Sequence, residues 1–113
     1  MEKFIIYENN LIEESLLVIK ANNSRCCIVL SRNNKVIGTL SEGDIIKSLI
    51  KGISLKARVE TIMKTNFFYL ENEDDKDFIK EKFYSGYTLI PILNKDRELI
   101  NVINFLDFFK NLI

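Results

Sequence analysis

Residues 25–50 read RCCIVLSRNNKVIGTLSEGDIIKSLI, and residues 88–113 read TLIPILNKDRELINVINFLDFFKNLI. A shift of 63 residues lays the first stretch on the second without a gap. Leu30 meets Leu93, Ile37 meets Ile100, Asp44 meets Asp107, Lys47 meets Lys110, Leu49 meets Leu112 and Ile50 meets Ile113. Apolar character also agrees at Cys26/Leu89, Cys27/Ile90, Val29/Ile92, Val36/Leu99, Leu40/Ile103, Ile45/Phe108 and Ile46/Phe109. Six identities in 26 positions are weak evidence alone. A duplicated pattern of apolar positions is stronger, because self-similarity at a fixed period means one supersecondary unit used twice.

Working outward, CCIVLS is an apolar run of buried-strand type, RNNK a turn and KVIGTL a second strand. EGDIIKSLIKG then predicts a helix with Ile45, Ile46, Leu49 and Ile50 facing inward, ended by Gly52. Upstream, FIIY at 4–7 is a short strand. LIEESLLVIKAN at 11–22 is a helix whose Glu13 and Glu14 sit where the helix dipole favours acids. The second half repeats the order with a strand at 66–70 and a helix over 75–86 that buries Phe78, Ile79 and Phe83. Strands LIPIL and LINVI and a closing helix FLDFFKNLI follow. Pro91 cannot donate to a ladder, so it belongs at a sheet edge or a strand start. Residues 53–65 carry Val59, Ile62 and Met63 at helical spacing and predict a short amphipathic connector.

The expected fold class is therefore α/β (α+β), a β-α-β-β-α unit used twice, with residues 1–62 and 63–113 as the two repeats. A half of about 50 residues buries too little surface to be secure alone, so the two sheets are expected to pack together into one globular unit. The chain stops just after its last helix, which suggests a domain excised from a longer protein.

Bulk composition narrows the function. Sixteen basic and sixteen acidic residues cancel, so no long-range field gathers nucleic acid or an anionic membrane face. No apolar run approaches the roughly 20 residues of a bilayer-spanning helix, and MEKFIIYENN has no basic n-region or cleavage site, which predicts a cytoplasmic protein. The chain has no histidine, no phosphate-loop or dinucleotide glycine motif and no nucleophile elbow. Two vicinal thiols do not complete a zinc site, so no catalytic residue and no metal is expected. Cys26 and Cys27 point to opposite faces of a strand and read as reduced packing residues.

The order of these elements resembles the tandem CBS-domain pair, or Bateman module. The resemblance covers essentially the whole chain. It rests on the β-α-β-β-α duplication, on TLIPIL as the apolar-Pro-apolar strand, on VETIMKT as the inter-repeat linker and on GTLSEGD as a G-x-x-[ST]-x-x-D element. FIIYEN and KGISLKARVETIM are similar in style to pairs that precede bacterial sugar-nucleotidyltransferase domains. The resemblance implies a regulatory module without catalytic activity or tightly held cofactor. It would bind an adenosine nucleotide between the repeats, form a homodimer through its helices and govern an attached or partner enzyme.

For the site, the resemblance implies that Ser41 and Asp44 meet ribose and phosphate, with Gly38 and Thr39 of the same element beside them. A glycine at 38 would let a ligand approach the strand. A basic residue often precedes the family's proline position by three places. Here Ile28 replaces that proline and the basic residue is Arg25, which has an ordinary exposed arginine as its alternative reading. Ile5, Tyr7 and Cys27 could face the base. Ser41 and Asp44 equally make a capping box that needs no ligand. In the second repeat only Asp107 is retained, with Asn101 and Asn104 at the Gly and Ser positions, so that site is expected to be degenerate.

Two further readings stay open. The first is a ligand-free dimerisation element using the helices at 42–51 and 105–112. The second is an enzyme, to which Glu42 and Asp44 on one helix turn lend little support. Tyr84, Tyr87 and the phenylalanines at 67, 68, 78, 83, 105, 108 and 109 read as core or dimer contacts.

Overall fold

A computed structural model describes residues 1–112. In the first repeat the chain forms β1 (Ile5–Tyr7), α1 (Ile12–Asn22), β2 (Cys26–Leu30), β3 (Val36–Ser41) and α2 (Glu42–Ile50). The second contains α3 (Lys76–Tyr84), β4 (Leu89–Leu93), β5 (Leu99–Asn104) and α4 (Phe105–Lys110). β1 runs parallel to β2 and β3 antiparallel to it, in the order β1-β2-β3. β4 and β5 form an antiparallel pair.

The duplication extends to backbone detail. Both hairpins shift register at matched positions, between Val29 and Leu30 and between Ile92 and Leu93. Both turns place one residue in the left-handed region, Asn34 at φ 62° and its counterpart Arg97 at 63°. Ser31 Oγ accepts from the Asn33 and Lys35 amides, and Asn94 Oδ1 accepts from those of Asp96 and Glu98. Short polar side chains that bond their own backbone make such turns without help from the rest of the fold. The equivalent residues Lys35 and Glu98 pair with each other across the molecule.

Three apolar clusters hold the layers together. One lies between the first sheet and its helices, around Ile12, Ile19, Cys27, Leu40, Ile45 and Val59. The second repeat has its own, with Ile79, Phe83, Ile90, Ile92 and Ile103. The third is shared: Phe4, Ile28, Leu30 and Val36 of the first repeat pack against Phe67, Leu89 and Leu93. The two sheets thus bury their facing surfaces against each other, as a half-buried sheet must.

Four sequence expectations are corrected. Residues 66–70 do not form a strand, and only Leu70 pairs, with its N–H on Pro91 O at 3.0 Å and its own carbonyl accepting from Leu93 at 2.9 Å. The next rung of that parallel ladder would require an N–H on Pro91, which proline lacks, so the strand stops after one bridge. The proline does sit at a sheet edge, as expected. The connector is not a helix. It is irregular, with a turn closed by the Ala57 N–H on Ser54 O and a 3-10 turn at Val59–Thr61, because much of its backbone bonds outward: Ala57 O accepts from Ile12, Leu55 O from Glu13, and Val59 donates to Asn10 O at 2.8 Å.

The inward face of α2 is narrower than the apolar pattern implied. Only Ile45 and Ser48 are buried, while Ile46, Leu49 and Ile50 are 56, 42 and 80% exposed. A helix lying on a sheet edge covers one row of side chains, and the remaining apolar residues face away. Phe78 likewise stays 38% exposed. Gly52, at φ +89°, ends α2 as predicted, with its N–H on Leu49 O.

Candidate functional site

The helix start at Ser41 and Asp44 is a complete capping box. Ser41 Oγ accepts from the Asp44 amide at 3.1 Å, and Asp44 Oδ2 accepts from the Ser41 amide at 3.0 Å and from its hydroxyl at 2.9 Å. The bland reading of this pair is therefore correct as far as it goes. It uses only one carboxylate oxygen: among the described residues no group donates to Asp44 Oδ1.

This half-used carboxylate borders a cavity of about 200 Å³ at the seam between the repeats. Cys26, Thr39, Ser41 and Asp44 form the first-repeat wall. Lys64, Phe67 and Phe68 come from the chain leaving the connector, and Gly86, Tyr87, Thr88 and Leu89 close the far side. The first repeat reaches this place because Cys26 pairs with Ser41 at the end of the β2-β3 ladder, where α2 begins. The opposite wall is tied on by Thr88, whose hydroxyl donates to the Ser24 carbonyl. The cavity thus offers a carboxylate, the hydroxyls of Thr39, Ser41, Thr88 and Tyr87, one ammonium group and aromatic surface within one hollow, the mixture that a small polar ligand with a planar ring requires.

The thiols lend no chemistry here. Burial, and then the nearby Asp44 carboxylate, push the Cys26 thiol up to about 12. Burial and its neighbour Cys26 raise Cys27 further. Both are held as thiols, and the thiolate is the reactive form.

Residues 2–51 match the sequence model of the CBS domain. In solved structures the whole chain is similar to a CBS-domain-containing protein of Agrobacterium tumefaciens. That match has TM-score 0.80 and 20% identity, covering 96% of this chain and 83% of that one. The fold is that of a CBS-domain pair. The CBS domain protein of Pyrobaculum aerophilum complexed with AMP matches with TM-score 0.73 and 17% identity over 91% of this chain and 80% of that one. The cytosolic domain of the Mg2+ channel MgtE in complex with ATP gives TM-score 0.72 and 18% identity over 96% and 44%. Among curated proteins, an uncharacterized protein of Rickettsia prowazekii (strain Madrid E) is 25% identical over 107 residues. The chain spans 91% of its own length and about a third, 32%, of that relative.

Within this fold, the seam cavity gathers Thr39, Ser41 and Asp44, and the other sequence candidates lie elsewhere. Gly38 does not open a path for a ligand. A Cβ there would lie 2.9 Å from Met63 Sδ and 3.0 Å from Lys64 O, so glycine is needed because the connector crosses the strand at that point. Cys27 is fully buried in the first cluster, its thiol toward Leu40 O. Side-chain alternation gives the cavity to Cys26 instead. Tyr7 pairs with Leu30, at the opposite end of β2 from the Cys26–Ser41 rung. Ile5 packs against the shared core.

Arg25, at φ 57°, gives its carbonyl to the Glu42 amide and borders two hollows away from the seam cavity, one beside residues 86–88 and α4 and one between α1 and Glu42. Asp107 is capped by Asn104, which accepts from its amide at 2.8 Å and donates to its carboxylate at 2.9 Å, and it lines a separate groove on the second repeat. Phe67, Phe68 and Tyr87, read from sequence as packing residues, do line the seam cavity, as does Lys64. The crossing of the connector brings Lys64 there, and the Thr88 bond to Ser24 holds Tyr87 on the opposite wall.

Proposed function

We propose that this chain is a regulatory ligand-sensing CBS pair that binds an adenosine nucleotide in the seam cavity. The observation that carries the reading is the Asp44 carboxylate at the border of a hollow walled by both repeats, with one of its oxygens accepting from no donor among the described residues. A carboxylate with a free oxygen at a helix start accepts from ribose hydroxyls, and Thr39 and Ser41 add hydroxyl partners. Phe68 and Tyr87 offer apolar faces to a base. At about 200 Å³ the cavity is smaller than the roughly 300–1,000 Å³ that encloses a drug-sized ligand, so the phosphates would project outward, on the side where Lys64 supplies positive charge. AMP and ATP in two structures of the same fold support the choice of ligand class. A ligand that touches both walls binds best at one relative setting of the repeats, which is what coupling to a partner requires.

The regulated enzyme, attached or separate, is the less constrained part of the reading. A sugar-nucleotidyltransferase rests on the style of residues 4–9 and of the connector at 51–63. A homodimer is proposed through α2 and α4, where Ile46, Leu49, Ile50 and Leu106 are exposed. That apolar face also favours a second reading, a dimerisation element without ligand.

A thermal-shift panel of adenosine, cytidine and guanosine nucleotides separates the two, since only a ligand that binds the folded state raises its melting temperature. The nucleotide reading expects a shift with AMP, ADP or ATP. It also expects an Asp44→Ala loss of about 1.5–3 kcal/mol, roughly 10- to 100-fold in affinity, with the fold retained. Unchanged affinity in Asp44→Ala would reject the assigned site. No shift with any nucleotide would leave the dimerisation element.

A further inference from the structure

The internal symmetry carries one step further. In the first repeat, residues 53–64 lie across the start of α1, the outer edge of β3 and the base of α2. Val59 is fully buried there, and Leu55, Ala57, Ile62 and Met63 are partly covered. The segment is fastened by its backbone: Thr39 donates to Lys64 O at 3.1 Å, Lys64 donates to Thr39 O at 2.8 Å, and Ile53 donates to Ser48 O at 3.0 Å. The matching place on the second repeat is an open groove of about 300 Å³ between the start of α3, the outer edge of β5 and α4. Ile79, Ile103 and Phe108 form its apolar floor, and Val102 and Asn111, the counterparts of Thr39 and Ser48, stand at its sides. No described segment of the chain lies in it.

We propose that this groove docks an extended segment of a partner protein, apolar with flanking Lys or Arg, seated as residues 53–64 are seated on the first repeat. The charge of the rim supports that chemistry. The exposed stretch 71–77 beside the groove carries Glu71, Glu73, Asp74, Asp75 and Asp77 against Lys76 alone. The segment seated on the first repeat carries Lys56, Arg58 and Lys64 against Glu60, and its Lys56 Nζ reaches Glu13 Oε1 at 2.7 Å. The edge of β5 is held in waiting. Asn101 Oδ1 accepts the Val102 N–H at 2.8 Å, and its amide nitrogen donates to Glu73. The Asn101 side chain thus stands where the main chain stands over Gly38, and docking requires it to swing aside.

The test uses the full 15N-labelled chain titrated with a synthetic peptide of residues 53–64, ISLKARVETIMK, followed by NMR. The expected result is shifts at Ile79, Val102, Ile103 and Phe108, weakened by salt and lost with a Val59→Asp peptide. Asn101→Gly should bind about two- to tenfold more tightly, the scale of one net backbone hydrogen bond. The proposal is overturned by any of four outcomes. These are no shifts at up to about 1 mM peptide, near the weak end of measurable affinity, or shifts confined to Thr39 and Val59, meaning exchange with the resident segment. The others are the same groove residues shifting with protein concentration alone, meaning a second copy, or shifting with AMP.

Discussion

The two repeats share a turn, a hairpin register and a helix cap, yet they are finished differently. The first has three strands and a segment clamped across its outer face, with Val59 fully buried. The second has two strands and one bridge at Leu70, and its corresponding face is open. One proline accounts for the missing strand, and one glycine, Gly38, permits the clamp. Duplicated secondary structure therefore does not make duplicated surfaces: single residues at the sheet edges decide which face is closed.

The sharpest way to break the comparison is Val59→Asp, which puts an unpaired charge into the first cluster. It should cost about 3–5 kcal/mol in urea unfolding. A loss within about 0.5 kcal/mol would mean that the clamp does not stabilise the first repeat. Next is the pair of matched positions 38 and 101. Gly38→Ala drives a methyl group to within 3.0 Å of Met63 and the Lys64 carbonyl and should cost about 1–3 kcal/mol, whereas Asn101→Ala, on an open face, should stay within about 0.5 kcal/mol. Equal effects at the two positions would dissolve the asymmetry.

A smaller effect tests what the repeats share. Ser41→Ala and Asn104→Ala each remove a side chain that accepts from an amide at the start of a helix, and each should cost about 1 kcal/mol. The smallest effect concerns Cys26, whose counterpart is Leu89. The folded chain holds the Cys26 proton more tightly than the unfolded chain. Its contribution to stability is thus complete below the ordinary thiol value near 9 and is lost as pH rises toward about 12. Urea midpoints of the wild type and Cys26→Ala should converge or cross over that interval. A constant difference would place the thiol in water.

Much of this was legible beforehand where a signal is local. The RNNK turn, the Ser41 cap at the start of α2 and the Gly52 stop at its end each rest on bonds to backbone a few residues away. The site was legible only in part. Thr39, Ser41 and Asp44 are on one wall of the cavity, whereas at Gly38 a missing Cβ says that something comes close without saying what, here Met63 and Lys64. Cys27 and Tyr7 lie outside the cavity, Cys27 because side-chain alternation turns it into the first cluster and Tyr7 because it pairs at the other end of β2. Lys64 and Tyr87 carry no pattern that marks them.

The sequence by itself determined the repeated unit, its turns and caps, and the apolar rows that bring the sheets together, since periodicity and short-range hydrogen bonding are written along the chain. The path of residues 53–64 was a tertiary decision, and so were the closure of one repeat with the opening of the other and the meeting of Asp44 with residues 64–68 and 86–89. Those depend on which backbone edges still have an unbonded N–H or carbonyl once both sheets have formed, a quantity that no local stretch contains.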